Sequence, residues 1–442
     1  AIAIARQALA NLPTQATMLR ARITLNLAIA YYLQGDLSAA AQQLTESLTT
    51  GQTAQLIGPM PTIYLKAQIL RAQGKLQQAL QLCQEGVELV TRHNWQDLPA
   101  TGFLYVAIGD LLRERNQLDA AADYLERGIR LGQTGDNHHI LIIGHVWLAW
   151  LRQTEGNAIG SQEAIRTALQ LLQQHAVSRF WPLPSATCTQ ARLWIAQGNL
   201  ATANHWAQTN HLHTPHTPIP YLDEAGYLTL ARLRIAEGKL AVAESLLREL
   251  HQTAAAAGRN GSLIEILILQ AVTYAAQQQR EQARSVLAQA LTLAGGLLSE
   301  EGYVRLFVDE GAALRLLLLD FQFWIAQQPN SEQNIKLSVY VDKLLAAFGN
   351  VQANAGEGLL VEPSTIQNQK SKSKNLIEPL SERELEVLRL VATGFSNSQI
   401  AARLIVTTGT VKTHINHIFG KLGVQSRTQA VARAHEFGLL TD

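Results

Sequence analysis

Along the first two thirds of the chain, apolar residues fall at helical spacing and the helices come in pairs. A stripe such as Leu25, Leu27, Ala28, Ala30, Tyr31 and Leu33 runs up to a Gly or polar residue, and a second helix follows with Ala five residues on. The junctions are Gly35, Gly74, Asn116, Gly156, Gly198, Gly238 and Gln278, spaced by 39, 42, 40, 42, 40 and 40 residues. So steady a period predicts a solenoid. Gly at the junction supplies the left-handed turn that ends the first helix. Leu37 with Ala40, Leu76 with Ala79, and Leu240 with Ala243 then face back onto that helix, where a small Ala permits close approach. One hairpin cannot bury both of its faces, so neighbours must stack.

The repeats are expected to fill residues 1–297. After them, EGYVRLFVDEG (Glu301 to Gly311) and an apolar helix through Leu318 open a helical bridging segment, 298–350. Residues 351–378 change character: rich in Gln, Asn, Ser, Lys and Gly, they cannot bury enough surface to order themselves and read as a flexible linker.

From 379 to 442 the pattern predicts four short helices. Ser381 and Glu384 form a capping box, and the first helix runs to about Thr393 with Leu385, Leu388 and Val391 or Val387 inward. Gly394 ends it. Ser396 or Asn397 caps a second helix that buries Ile400, Ala401 and Leu404. Ile405 to Thr407 make the turn, and Thr407 caps a third helix. Val411, Ile415, Ile418 and Leu422 form its buried stripe; Lys412, Thr413, Asn416, His417 and Lys421 form the opposite one. A last helix begins near Ser426 and packs Ala430, Val431 and Ala434. Two helices joined by so short a turn, with a polar outer face on the second, describe a helix-turn-helix.

Composition narrows the function. The chain has 442 residues, which implies two or more domains, and its 47% hydrophobic and 16% charged residues suit a folded protein. Its net charge of +1 requires any nucleic-acid site to be a local patch. Such a patch exists: no acidic residue lies between Glu386 and Glu436, while Arg389, Arg403, Lys412, Lys421, Arg427 and Arg433 are basic. Cys83 and Cys188 read as unpaired buried thiols in a reducing cytoplasm. No stretch of 18 uncharged apolar residues predicts a membrane span. The first residues, AIAIARQALANLP, read as the middle of a helix, which suggests a C-terminal piece of something longer. The seven tryptophans (95, 147, 150, 181, 194, 206 and 324) could line a pocket, although Trp147 and Trp150 sit at core spacing. The three histidines of His211 to Pro220 read as loop residues rather than metal ligands. No GxxxxGK[ST], HExxH or GxSxG motif is present, so neither catalytic residues nor a cofactor are expected in this chain.

The hairpin pattern resembles tetratricopeptide repeats, with a longer period than their usual length of about 34 residues. In the C-terminal region, LSERELEVLRLVATG, SNSQIAARL, GTVKTHINHIFGKLGV and SRTQAVARA closely resemble the LuxR-type helix-turn-helix. That resemblance places the motif from Asn397 to Asn416. It puts Lys412, Thr413 and Asn416 against base edges, and Thr407, Thr410 and Lys421 against phosphates. His414 matches a near-signature position, and the last helix is the family's dimerisation surface. Thr407 and Thr408 replace the family's usual Ser and acidic residue, and Thr413 is shorter than usual, which leaves the DNA sequence read open. The whole arrangement resembles the C-terminal part of MalT-like regulators, the large ATP-binding members of the LuxR family; ATP would belong to a part absent here.

Two readings follow. In the first, the chain is an all-α, cytoplasmic transcription regulator and not an enzyme: the repeats sense a small-molecule or protein effector, and the helix-turn-helix binds double-stranded DNA as a homodimer or higher oligomer, with RNA polymerase as a further partner. In the second, the repeats form an adaptor or signalling scaffold and DNA binding is secondary.

Overall fold

The computed structural model describes residues 2–53, 59–175, 181–212, 219–295, 302–329 and 331–354, and beyond them positions 387, 388, 390–392, 395, 397, 399, 400, 411, 415, 418, 421, 424, 430, 433 and 434. The chain divides into two units, Ala1–Leu359 and Leu360–Asp442. No β-strand occurs among the described residues.

Among the described residues of the first unit, α1 (Ile2–Asn11) precedes seven helical hairpins. They are α2 (Thr17–Gln34) with α3 (Leu37–Thr53), α4 (Pro59–Ala72) with α5 (Leu76–Arg92), and α6 (Gly102–Glu114) with α7 (Leu118–Thr134). Next come α8 (His138–Thr154) with α9 (Ala158–Gln174), and α10 (Ala186–Ala196) with α11 (Leu200–Thr209). The last two are α12 (Glu224–Ala236) with α13 (Leu240–Ala256), and α14 (Asn260–Ala276) with α15 (Arg280–Gly295). A short α16 (Arg305–Val308) then leads to α17 (Ala312–Ile325) and α18 (Glu332–Asn354).

Each expected junction lies inside one hairpin and has positive φ, including the two that are not Gly, Asn116 and Gln278, both at 63°. The following residue closes the turn by donating its N–H to the carbonyl five residues earlier: Lys75 to Leu70 at 2.8 Å, Asn199 to Trp194 at 2.8 Å, Gln279 to Tyr274 at 2.9 Å. This bond satisfies a helix-end carbonyl and fixes the chain reversal. The position five residues past each junction is fully buried: Ala40, Ala79, Ala121, Ala203, Ala243 and Ala283, with Ser161 in the fourth hairpin.

First and second helices differ in kind. Every residue of α6 is buried, from Gly102 to Glu114. Its partner α7 buries one stripe containing Ala121, Leu125 and Ile129. A helix apolar on all sides is an interior helix, and one with a single apolar face lies at a surface. The first helices therefore line the inside of the coil.

The coil closes on itself. A Cβ on Gly261, at the start of α14, would stand 2.3 Å from the Arg71 carbonyl oxygen in α4, so only Gly permits that contact. Tyr221 meets Tyr32 of α2 edge-on, with ring centroids 5.4 Å apart.

The stretch expected as a bridge packs into this unit. Tyr303, Val304, Arg305, Phe307 and Val308 are buried. Val304 N–H donates to the Glu114 carbonyl at 3.0 Å, Leu306 N–H to Glu114 Oε1 at 2.8 Å, and the Tyr303 hydroxyl to the Arg71 carbonyl at 2.9 Å. Helix α18 continues to Asn354, past Val351 where the linker is expected to begin. The rest of that expected linker, and the Ser381 and Glu384 cap, lie outside the described residues.

In the second unit, Val387, Leu388, Val391, Ile400, Val411, Ile415, Ile418, Ala430 and Ala434 form one buried cluster, with Leu390, Phe395 and Val424 packed on it. Val387 and Val391 are both inside, so the first helix buries a wider face than the expected choice of either one. Phe395 N–H donates to the Leu390 carbonyl at 3.2 Å, closing that helix beside Gly394. Leu385, Ala401, Leu404, Leu422 and Val431 lie outside the described residues.

Candidate functional site

Of the residues expected to meet DNA, Asn397 and Lys421 are described; both are helical and half-buried. Thr407, Thr410, Lys412, Thr413, His414, Asn416 and His417 lie outside the described residues. The buried positions Val411, Ile415 and Ile418 recur at the spacing of one helix face.

A second site lies on the inner side of the coil, where a cavity of about 580 Å³ opens between the first helices. Its wall takes Tyr32 from α2, Arg71 from α4, Arg113 and Glu114 from α6, Trp147 and Trp150 from α8, Arg192 from α10, Arg232 from α12 and Glu265 from α14. Trp181, from the connection after α9, and Asp309 complete it. The expectation that Trp147 and Trp150 are core residues holds, since both are buried. They also line the cavity. Trp95, Trp194, Trp206 and Trp324 are not among its lining residues.

The wall carries buried ion pairs. Arg113 donates to Asp309 Oδ2 at 2.9 Å, and Arg305 pairs with the same carboxylate group. Burial alone would raise the Asp309 pKa, but Arg305 and Arg113 outweigh it and hold it below the usual value. Burial pushes Glu114 up, against the pull of Arg113 and Arg71. On the other side Arg232 reaches Glu310 Oε1 at 2.9 Å and Glu265 Oε1 at 2.7 Å. Adjacent residues of one short segment, Asp309 and Glu310, thus pair with α6 from the N-terminal half of the coil and α12 from its C-terminal half. Arg259 donates to Glu224 Oε2 at 2.7 Å, close to Tyr221. Reading the sequence for motifs missed this network. A signal did exist: Arg71 and Arg113 stand three residues before their junctions, and Asp110, Arg192 and Arg232 six before theirs, charges at recurring places on the first helices.

The cysteines differ. Cys83 is buried, which pushes its thiol up to about 12. Cys188 departs from the expectation of a buried thiol: it is half-buried on the cavity wall. Among the described residues no three His, Cys, Asp or Glu side chains cluster to hold a metal, and no helix is long and apolar enough to cross a membrane. Residues 213–218 of the histidine-bearing loop lie outside the described residues.

Comparison with known proteins now bears on both sites. Residues 1–322 match the MalT-like TPR region, and residues 378–434 match the bacterial regulatory proteins of the luxR family. The HTH-type transcriptional regulator MalT of Serratia proteamaculans is 26% identical over 439 residues, covering 98% of this chain and 47% of that protein. The MalT of Vibrio campbellii is 26% identical over 467 residues, with the same coverage of each. The chain therefore spans about half the length of the curated relatives it matches. A tetratricopeptide repeat protein from Parabacteroides merdae aligns with 65% of this chain and 98% of its own at 15% identity, with a TM-score of 0.35. With its first 322 residues matched by one family and residues 378–434 by the other, the chain belongs to the MalT-like TPR region family and carries a luxR-family helix-turn-helix domain at its C-terminal end.

Proposed function

We propose that this chain regulates transcription: residues 379–442 bind operator DNA in the major groove, and the repeat unit responds to an effector that controls that binding. The observation that carries the reading is the buried cluster of the second unit. Its members Val411, Ile415 and Ile418 are those a helix-turn-helix needs inside. In the sequence Lys412, Thr413, Asn416 and His417 fall between them, within a stretch free of acidic residues. The family match supports the same reading. Lys412, Thr413 and Asn416 are assigned to base edges; Asn397, Thr407, Thr410, His414, His417 and Lys421 to the backbone or to supporting the recognition helix. Two copies on a two-part operator, and contact with RNA polymerase, complete the proposal.

A gel shift of the full chain on promoter fragments tests it. Binding should weaken steeply with salt. Lys412→Ala should cost about 1–3 kcal/mol on the cognate site and less on unrelated DNA. Absence of binding at low salt would refute the reading.

A further inference from the structure

We infer that the central cavity holds a small organic oxyanion, a carboxylate or phosphate carried on a ring or apolar body, gripped by Arg71 and Arg192. The inference deepens the reading above and rests on it only for the consequence at DNA.

The two arginines differ from the others around the coil axis. Arg113, Arg232 and Arg259 each donate a hydrogen bond of 2.9 Å or shorter to a carboxylate. Among the described residues neither the Arg71 nor the Arg192 guanidinium makes one. Their nearest carboxylates stand at 3.7 and 3.9 Å from Arg71 (Asp110, Glu114) and at 3.5 and 3.9 Å from Arg192 (Glu265, Glu310). What holds them is stacking: Arg71 lies over Trp147 at 5.3 Å and Arg192 over Trp150 at 4.6 Å. Trp147 and Trp150 are three residues apart on α8, so both guanidiniums are fixed on one helix face. Stacking orients the planar fork while leaving its N–H edge unused, which suits bidentate capture of an oxyanion.

The unmet hydrogen bonds point the same way. On the cavity wall, among the described residues, buried donors without a hydrogen-bond partner are Nε of Arg71, Arg113 and Arg192 and Nε1 of Trp147 and Trp181, against one such acceptor, Glu114 Oε2. A buried donor left unmet is costly, and neither Arg nor Trp can accept a hydrogen bond. Such a wall favours an occupant that brings acceptors. Burial and the neighbouring Arg232 push the Arg192 pKa down against the pull of Glu265 and Glu310, and an anion beside it would push it back up. The Arg71 and Arg192 side chains each keep 24% of their surface exposed, so both arginines remain open to that anion. The aromatic wall and the volume of about 580 Å³ accommodate a ring-sized body beside the charged group.

The test uses the full chain and matched probes. Calorimetry and intrinsic tryptophan fluorescence are measured with glucose 6-phosphate against glucose, benzoate against benzyl alcohol, and inorganic phosphate alone. The anionic member of at least one pair should bind at least ten-fold more tightly than its neutral twin, and the pair that responds separates phosphate from carboxylate. Arg192→Gln and Arg71→Gln should each lower that affinity at least ten-fold. Arg192→Lys should recover only part of it, because charge returns without the fork. Arg284→Gln, on the Arg284–Asp320 pair away from the cavity, should leave it unchanged. Thermal unfolding of each variant identifies any loss that is merely misfolding, and in that case the lysine variant decides. Equal affinity for neutral and anionic twins, no binding by any probe, or full affinity in both glutamine variants would overturn the inference. A parallel gel shift keeps the two claims apart: loss of DNA binding by the wild-type chain sinks the regulator reading and leaves the cavity result standing.

Discussion

Two parts of the repeat unit solve opposite packing problems. Between the helices of a hairpin the contact is apolar and built around a small residue, as at Ala79 and Ala121. Around the coil axis the contact is charged, with Arg113, Asp309, Arg232 and Glu310 drawn out of water and paired. The first kind is generic and repeats in every unit. The second occurs once, joins residues far apart in the chain, and costs desolvation that apolar residues would not incur. A fold that needed only stability would not place so many charges there. Their position around a cavity connects them with recognition.

The largest effect should come from leaving an axial charge unpaired. Arg232→Leu leaves Glu265 and Glu310 only the more loosely placed Arg192 and should destabilise the repeat unit by about 3–5 kcal/mol. Denaturant unfolding checks it, and a cost near zero would mean that water already reaches these carboxylates. Overfilling a hairpin contact should cost less: Ala79→Leu adds volume at a fully buried site and should lose about 1–3 kcal/mol. If the leucine variant proved the more damaging of the two, the hairpin interface and not the axis would be the rigid part of the unit.

Protonation sharpens the same contrast. The Glu114 pKa is raised by burial, so the folded state binds its proton more tightly than the unfolded state does, and stability falls as pH rises through the folded value. Asp309, held low by Arg305 and Arg113, acts in the other direction. Its contribution is present above its unfolded value of about 3.9 and is lost as pH falls through the folded one. Glu114→Gln keeps an acceptor for the Leu306 N–H and removes the first effect alone. The stability of the variant relative to wild type should therefore rise as pH increases above the ordinary glutamate value of about 4.3. Parallel pH profiles would show that Glu114 titrates normally.

These two kinds of contact were also unequally legible in the sequence. The seven junctions, the hairpin period and the small buried position could be read because each repeats at a fixed interval, and periodicity survives ignorance of the three-dimensional path. Even Gln278, with a side chain that rarely takes a left-handed turn, is placed by the period, as is Asn116, which takes one more readily. The buried face of the C-terminal helices was legible for the same reason, through Val411, Ile415 and Ile418. The cavity was not. Arg113 and Asp309 meet across nearly two hundred residues, and only the pitch of the coil brings them together. The packing of the bridging stretch was not legible either: Tyr303 and Phe307 look like an ordinary connection until the axis they fill exists.

The smallest effect tests whether that axis is rigid. Gly74 and Gly198 hold the same place in their hairpins, with φ of 80° and 76°. Replacing either with Ala should cost about 1–2 kcal/mol for the left-handed conformation. The two differ only in surroundings. A Cβ at 198 meets nothing within 4 Å, whereas at 74 it would stand 2.9 Å from the Asn260 Cβ, where the second and seventh hairpins touch. Gly74→Ala should therefore cost about 1 kcal/mol more than Gly198→Ala, since the extra atom overpacks the seam that closes the coil. Equal losses in denaturant unfolding would mean that α14 shifts away from α4 without penalty. The cavity behind that seam would then be shaped by its occupant as much as by its walls.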